Sequence, residues 1–504
     1  MVKILNADQI RAWDEYTIQH EPIASVDLME RAAAACFQWM VKHYEGKSFS
    51  IFCAKGNNGG DGLAIARMLS SNHAVTVYIL EFGHLGTEDF QINLARLHQT
   101  EAVIKFIPTE ENMPMIPRED IIIDALFGSG LNRPVEGLTA ILVSMINDAG
   151  NEIISIDIPS GLSADNSSRG NVSIRATHTL SFQCYKPAFL MAENELNVGK
   201  LHILDIGLHD DYLDTLHSSN TFIDEPFARD IIKPRKLFSH KGTFGHALLI
   251  AGSYGKIGAA ILSAKACLRS GVGLLTIHAP GGANNILQTA VPEAMVDNDD
   301  NEKINTTITR ELKGYDSIGI GPGLGTGYDT ATLLQNIISS YTKPLVFDAD
   351  ALNILSAHPE WLMKLPAYSI LTPHPKEFER LFGATENDFE RMRLAKQKSK
   401  EYNVIIVLKG HYSIICAPSG QYFFNSTGNA GMATGGTGDV LTGIITALLA
   451  QQYSSENAAI LGVYLHGLAG DIAAKRLSEP SLIASDIVDH LSAAFSKLLV
   501  PKSK

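Results

Sequence analysis

Asp439 lies in GNAGMATGGTGDVLTG, residues 428–443, and the residue types around it suit proton transfer beside an anion site. Val440, Leu441, Ile444, Ile445, Leu448 and Leu449 recur about every fourth position, which predicts a helix over 439–451 with one face inward. Gly435, Gly436 and Gly438 then stand just before its N-terminus. N–H groups without intrahelical partners and the aligned peptide dipoles hold a phosphate or an oxyanion at such an end. A carboxylate there can take a proton from a hydroxyl while the turn stabilises charge developing on a phosphoryl group. That is the logic of a small-molecule kinase. The plainer alternative makes Asp439 an N-cap and the glycines a tight loop.

A second set of polar groups collects in the first 210 residues. SFSIFCA reads as a buried strand and runs into GNNGGDG, residues 56–62, followed by the helical LAIARMLS. Strand, glycine turn and helix again present N–H groups to an anion, although the spacing is not the dinucleotide GxGxxG. Asn57, Asn58 and Asp61 add side-chain oxygens that glycine lacks. IIID ends in Asp124 and opens DALFGSGLNRP, and EIISIDIPSGL ends in Asp157 and Ser160. In open parallel sheets ligands collect at the C-terminal ends of strands. Asp124 or Asp157 alone reads as a turn cap; their convergence with the glycine turn points to a pocket.

The elements that must position these groups follow the chain. Residues 6–44 read as helical, AVTVYIL as a strand and 89–99 as a helix. Residues 208–235 are polar and acidic with Pro226 and Pro234, which predicts a linker, a boundary near 218 and domains 1–218 and 219–504. HALLIAGS, a helix over 259–270 and the strand after it form a βαβ unit, hence a parallel sheet. Further strands deliver SIGIGPGLG with Gly323, PLVFDADALN with Asp348 and Asp350, TPHPKEF with His374 and Glu377, and LKGHYS with Lys409. A lone histidine such as His374 is usually a cap; at a strand tip among glycine turns it is a site candidate.

Composition narrows the partners. A length of 504 residues suits about three domains of ~150 residues or two larger α/β units, and 45% hydrophobic residues supply their cores. The net charge of -13 argues against nucleic acid, which needs clustered Lys and Arg, while an anionic dinucleotide can still bind through backbone donors. The five cysteines are scattered without metal spacing and read as buried thiols of a reducing compartment. The N-terminal residues lack a signal-peptide core, and no apolar run approaches the ~18 residues of a membrane span, so a cytoplasmic protein without membrane contact is expected. There is no short-period repeat.

The GGTGD turn resembles that of the ribokinase-like superfamily, and its longer NAGMATGGTGD form resembles the ADP- or ATP-dependent NAD(P)H-hydrate dehydratases. KGTFG, GPGLG, DADALN, TPHPKEF and LKG match that pattern in order, while NNGGD, DALFGSGLNRP and DIPSG resemble the NAD(P)H-hydrate epimerases. The resemblance implies two α/β domains: an N-terminal Rossmann-like αβα sandwich, and a C-terminal ribokinase-like αβα sandwich with a mostly parallel sheet. It further implies that R and S hydrates of NADH and NADPH are interconverted by the first domain, and that the second dehydrates the S form.

Carried over by motif, Asn58, Asp124 and Ser160 hold a potassium ion. Asn57, Gly59, Gly60, Asp61, Gly128, Ser129, Gly130, Leu131, Asn132, Arg133, Pro134 and Asp157 face the hydrate, with Asp157 catalytic. In the second domain Ala259, Gly323 and His374 line the hydrate side with the base Asp439, and Lys409, Gly410, His411, Tyr412, Ser413 and Gly438 contact ADP or ATP, with Mg²⁺ neutralising the phosphates. A homo-oligomer is expected. SFQCYKPAFL departs from the family by placing Tyr185 before Lys186 and Pro187 after it, so no role is assigned to Lys186. Two other readings stand beside this one: a sugar or vitamin kinase that releases a stable phosphoester, and a noncatalytic N-terminal nucleotide-binding module.

Overall fold

The computed structural model of the protein describes residues 2–216 and 220–499. The chain divides into two compact units, one of Lys3–Ser218 with Asn387–Phe389, the other of Met1–Val2, Ser219–Glu386 and Glu390–Lys504. The boundary expected near residue 218 lies outside the described residues.

In the N-terminal unit, the expected helical stretch is two helices, α1 (Ala7–His20) and α2 (Ser25–His43). The strands are β1 (Phe49–Cys53), β2 (Val75–Leu80), β3 (Val103–Ile107), β4 (Ile121–Ala125), β5 (Ile153–Ile156), β6 (His178–Phe182) and β7 (Lys200–Leu204). They form one parallel sheet in the order β3-β2-β1-β4-β5-β6-β7. Every residue of β1 and β4 is buried, the pattern of a strand covered on both faces. The strand order reverses between β1 and β4, and such a switch point opens a crevice beyond the strand ends. Asn58, which follows β1 in helix α3 (Asn57–Leu69), and Asp124 of β4 both stand there.

The C-terminal unit has strands β8 (Asn220–Ile223), β9 (His246–Ile250), β10 (Leu274–Pro280), β11 (Met295–Asp299), β12 (Ser317–Ile320), β13 (Leu345–Phe347), β14 (Ile370–Leu371), β15 (Ile405–Leu408), β16 (Ile414–Cys416) and β17 (Tyr422–Asn425). Val2–Lys3 lies beside β8, and from there the order is β8-β17-β16-β15-β14-β13-β12-β9-β10-β11, these strands being parallel except where β16 runs against β15 and β17. The reversal falls between β9 and β12. The expected linker over 208–235 is in part structural, because β8 pairs with β17 as a sheet strand. Its polar flanks hid a run of only four residues, of which Thr221, Phe222 and Ile223 are buried.

Helices α4 (Ile257–Arg269), α5 (Ala349–Ala357), α6 (Pro375–Phe382), α7 (Thr437–Ala450) and α8 (Ser455–Leu477) carry the polar motifs. Val440 to Ala450 are all buried, so α7 runs through the core instead of along the surface. Gly443 permits this: a Cβ there would lie 2.1 Å from the Ser263 carbonyl oxygen of α4. Each large aliphatic side chain buried along α7 contributes about 1.5–3 kcal/mol, which fixes the helix and with it the position of Asp439. Among the described residues no helix is long and apolar enough to cross a membrane.

Candidate active sites

In the C-terminal unit α7 begins two residues earlier than the apolar spacing indicates. Gly436 is its N-cap with φ of 92°, and Asp439 falls in the first turn, partly buried. Lys409, just past β15, places Nζ 2.8 Å from Asp348 Oδ1 and 3.7 Å from Glu377 Oε2. A Cβ on Gly438 would lie 3.3 Å from that Nζ and 3.4 Å from Asp348 Oδ2, so the helix start and the lysine meet at one point. Thr442 donates to Asp348 Oδ2 at 2.8 Å and locks the carboxylate to α7. Burial pushes the Asp439 carboxyl up to about 7; Asp348 and Asp350 add to the rise and Lys409 opposes it. The Lys409 ammonium sits above its ordinary range, since Asp348 and Glu377 outweigh the burial that would lower it.

His374 is the N-cap of α6, with Nδ1 accepting from the N–H groups of Lys376 (3.1 Å) and Glu377 (3.3 Å). Burial holds its pKa down, aided by Lys409 and Arg380 and opposed by Glu377. A neutral imidazole that accepts at Nδ1 carries its proton on Nε2, so His374 offers a donor and no base. Gly323 and Ala259 meet across the switch point: a Cβ on Gly323 would lie 3.0 Å from Ala259 Cβ and 2.8 Å from the Lys256 carbonyl oxygen. Lys256 Nζ lies 3.3 Å from Asp350 Oδ2, which also accepts from Gly325 N–H at 2.8 Å. Gly410, His411, Tyr412 and Ser413 form the bend from β15 to β16, closed by Gly410 N–H donating to Ser413 Oγ at 3.2 Å. Gly410 and His411 are exposed, with the His411 ring edge-on to Tyr412.

In the N-terminal unit the NNGGD residues are the first turns of α3, where a turn ahead of the helix was expected. Gly60 N–H bonds the Gly56 carbonyl at 3.0 Å, and Cβ atoms on Gly59 and Gly60 would lie 1.7 Å from the Ala54 oxygen and 2.8 Å from Met29 Sδ. The absence of a Cβ at these two positions lets α3 pack tightly against Ala54 and Met29. Asn58 is buried, and neither its Oδ1 nor its Nδ2 has a partner among the described residues. The fully buried Asp124 accepts from Ser155 Oγ (2.7 Å), Ser160 N–H (2.9 Å), Ser160 Oγ (2.5 Å) and Leu126 N–H (3.3 Å). Burial nevertheless leaves its pKa raised. Ser160 Oγ in turn accepts from Phe127 N–H at 2.8 Å.

Asp157 adopts φ of 67°, unusual for a side chain with a Cβ. Its Oδ1 lies 2.8 Å from Lys186 Nζ and its Oδ2 accepts from Ser129 N–H at 2.8 Å. Burial works to raise the Asp157 pKa, but Lys186 and Ser129 prevail and hold it below the usual carboxylate range. A Cβ on Gly128 would lie 2.9 Å from Asp157 Oδ2 and 3.4 Å from Asn58 Cγ, which brings the three strand ends together. Leu131 N–H closes the turn on the Gly128 carbonyl at 3.2 Å, leaving Gly130, Asn132, Arg133 and Pro134 exposed on the rim. Two further carboxyls feel Asp157: burial first, then its charge, push Asp14 of α1 up to about 7 and Asp61 well above its ordinary value.

Residues 25–188 match the family profile described as the YjeF-related protein N-terminus, and residues 247–492 match that described as NAD(P)H-hydrate dehydratase. A bifunctional NAD(P)H-hydrate repair enzyme from Moorella thermoacetica is 33% identical over 97% of this chain and 96% of its own. The chain belongs to the bifunctional NAD(P)H-hydrate repair enzymes. The repair enzyme of Escherichia coli is 32% identical over 96% of this chain and 92% of its own. A ribokinase-like superfamily protein from Enterococcus faecalis covers 57% of this chain and 99% of its own, with 30% identity and a TM-score of 0.50.

Motif reading of this repair enzyme missed two residues that its structure places at the N-terminal cluster. Lys186 is fully buried, ion-paired to Asp157, and donates to Ser181 Oγ at 2.6 Å. The order Tyr185-Lys186-Pro187 does not disturb it, because Pro187 opens a 3-10 turn and Lys186 caps that turn in extended conformation. Asp14 carries no motif; a polar residue beside the buried Trp13 on the inward face of α1 was the available signal.

Proposed function

We propose that the two clusters divide the repair of hydrated nicotinamide cofactors between them, residues 1–218 epimerising and residues 219–504 dehydrating. The protein is a bifunctional enzyme, an isomerase and a lyase. The observation that carries the dehydratase assignment is the meeting of Asp439, the open start of α7 and the Lys409–Asp348 pair at one point. A ring hydroxyl is a poor leaving group and phosphate a good one. Asp439 takes the hydroxyl proton, the oxygen attacks the terminal phosphorus of ADP or ATP, and AMP or ADP leaves. Phosphate then departs with the C–O electron pair, and loss of the proton on the neighbouring ring carbon restores the double bond. Lys409 and the α7 N–H groups meet the phosphoryl charge, while His374 Nε2–H, Ala259 and Gly323 hold the hydrate side. Among the described residues no group of three or more His, Cys, Asp or Glu side chains could hold a metal, which suits Mg²⁺ arriving on the nucleotide phosphates. When bound it supplies charge neutralisation.

For the epimerase, Asp157 and Lys186 form the charged centre and Asp14, its carboxyl pushed up to about 7 by burial and then Asp157, can give or take a proton near neutral pH. Asn58, Asp124 and Ser160 would hold K⁺. The orphaned buried amide of Asn58 fits an alkali ion, which takes hard oxygen donors and supplies a fixed positive charge beside the pocket. A homo-oligomer is part of the same proposal and is read by light scattering.

Purified protein is incubated with mixed R and S hydrates, Mg²⁺ and either ADP or ATP. Full recovery of reduced-nicotinamide absorbance with release of free phosphate is expected. Recovery of the S fraction alone would remove the epimerase, and a stable phosphoester product would make the C-terminal unit a kinase.

A further inference from the structure

The nicotinamide ring is a small part of the hydrate, and the rest of the dinucleotide must leave the Asp439 cluster by some route. A cleft of about 470 Å³, within the roughly 300–1,000 Å³ typical of ligand sites, has in its lining Asp350, whose charge acts on Asp439. Asp350, Asn353, Ile354, Ala357, His358 and Arg380 line it. Continuity comes through Asp350, which accepts from Gly325 N–H two residues beyond Gly323 and pairs with Lys256. The cleft therefore begins where the hydrate side of the Asp439 site ends.

Its chemistry is that of a nucleotide phosphate site. Arg380 is exposed, and its Nη1 donates to the neutral Asn353 Oδ1 at 2.8 Å, so the guanidinium is oriented while its charge stays available. Arg presents a planar fork of donors that matches phosphate geometry. Lys256 neutralises the lining carboxylate of Asp350 at the end toward Gly323, which leaves Arg380 as the cation of the lining in a protein of net charge -13. Ile354 gives an apolar wall, and His358, stacked on Trp361 with centroids 4.2 Å apart and planes 6° from parallel, gives a ring face on which a base can lie.

We propose that this cleft binds the adenosine-phosphate half of the hydrated dinucleotide, with Arg380 on its phosphate, while the hydrated ring lies at Asp439. The proposal rests on the dehydratase reading above. Binding energy from the remote half then holds the ring at the reacting centre.

The test compares two hydrates in the full-length enzyme with saturating ATP: that of NADH, and that of reduced nicotinamide mononucleotide, which lacks the adenylate half. Arg380→Gln should lower kcat/KM for the NADH hydrate about 10- to 100-fold, mostly through KM, the usual worth of a lost hydrogen bond to a charged group. The mononucleotide hydrate should change less than about twofold, read as KM or, where turnover is slow, as Ki against the NADH hydrate. Ala357→Trp, which fills the cleft from an exposed position, should reproduce the same split. Equal losses on both hydrates, or no loss on the NADH hydrate in either variant, would overturn the proposal. Failure of the dehydratase reading is distinguishable, because wild-type protein would then restore neither hydrate.

Discussion

Replacing Asp439 by Asn probes both the chemistry of this carboxylate and its effect on the fold. The amide is nearly isosteric and cannot accept the substrate proton, so dehydration falls about 10²- to 10⁴-fold, or about 2.7–5.4 kcal/mol of barrier. Stability moves the other way. In the folded protein the carboxyl titrates at about 7 against an ordinary 3.8, because burial and then Asp348 and Asp350 oppose its charge. A carboxyl with a raised pKa favours the folded state below its ordinary value and loses that contribution as pH rises through the folded value. At about 1.36 kcal/mol per tenfold in proton affinity, the interval from 3.8 to about 7 sets a ceiling of about 4 kcal/mol lost above pH 7. Partial exposure screens this, leaving about 1–2 kcal/mol for the amide to recover. Urea melts of both proteins near pH 4 and pH 8 read the effect: equal stability at the first, a more stable variant at the second. Wild-type dehydration should rise with pH through about 7 while epimerisation, the folding control, is unchanged by the substitution. A variant that dehydrates at near wild-type rate, or one that is less stable at pH 8, would refute the reasoning.

Lys186→Met strands the buried Asp157 carboxylate and should destabilise the N-terminal unit by about 3–5 kcal/mol while epimerisation falls at least about tenfold, checked by denaturant melts and chromatographic separation of R and S hydrates. The melting temperature of wild-type protein should climb with K⁺ relative to a bulky organic cation, and Asn58→Leu should flatten that response; a wild-type response already flat removes the ion. A fragment of residues 1–218 should equilibrate R with S hydrate without nucleotide, and binding without interconversion would count against an independent catalyst.

The sheet cores were legible because parallel strands buried on both faces read as unbroken apolar runs, as in IIID and VIIVL. The groups at their C-terminal ends were legible for the same reason: once the strands are found, the next few residues lie at the crevice. Failures came where local pattern was short or where tertiary contact decides. Asn220–Ile223 is a four-residue strand between polar flanks, and its identity comes from pairing with Tyr422–Asn425 far along the chain. Lys186 is read from its partner Asp157, 29 positions away, and no spacing rule joins them. Gly59 and Gly60 have a packing role that the motif did not show, since a Cβ at either would strike Ala54 or Met29.

The pairing of β8 with β17 also has a consequence during synthesis. Ile223 and its partner Asn425 are separated by 202 positions. At ~5–20 residues per second, roughly 10–40 s pass between the emergence of the two strands from the ribosome. Residues 3–218 carry a complete seven-stranded sheet by then. Strand β8, which has Val2–Lys3 on its other side, meanwhile waits with the donors and acceptors of its β17-facing edge unpaired, a template for other chains. Shortness and nearby charge are features that blunt such an edge, and β8 has four residues with Asp210, Asp211 and Asp214 ahead of it.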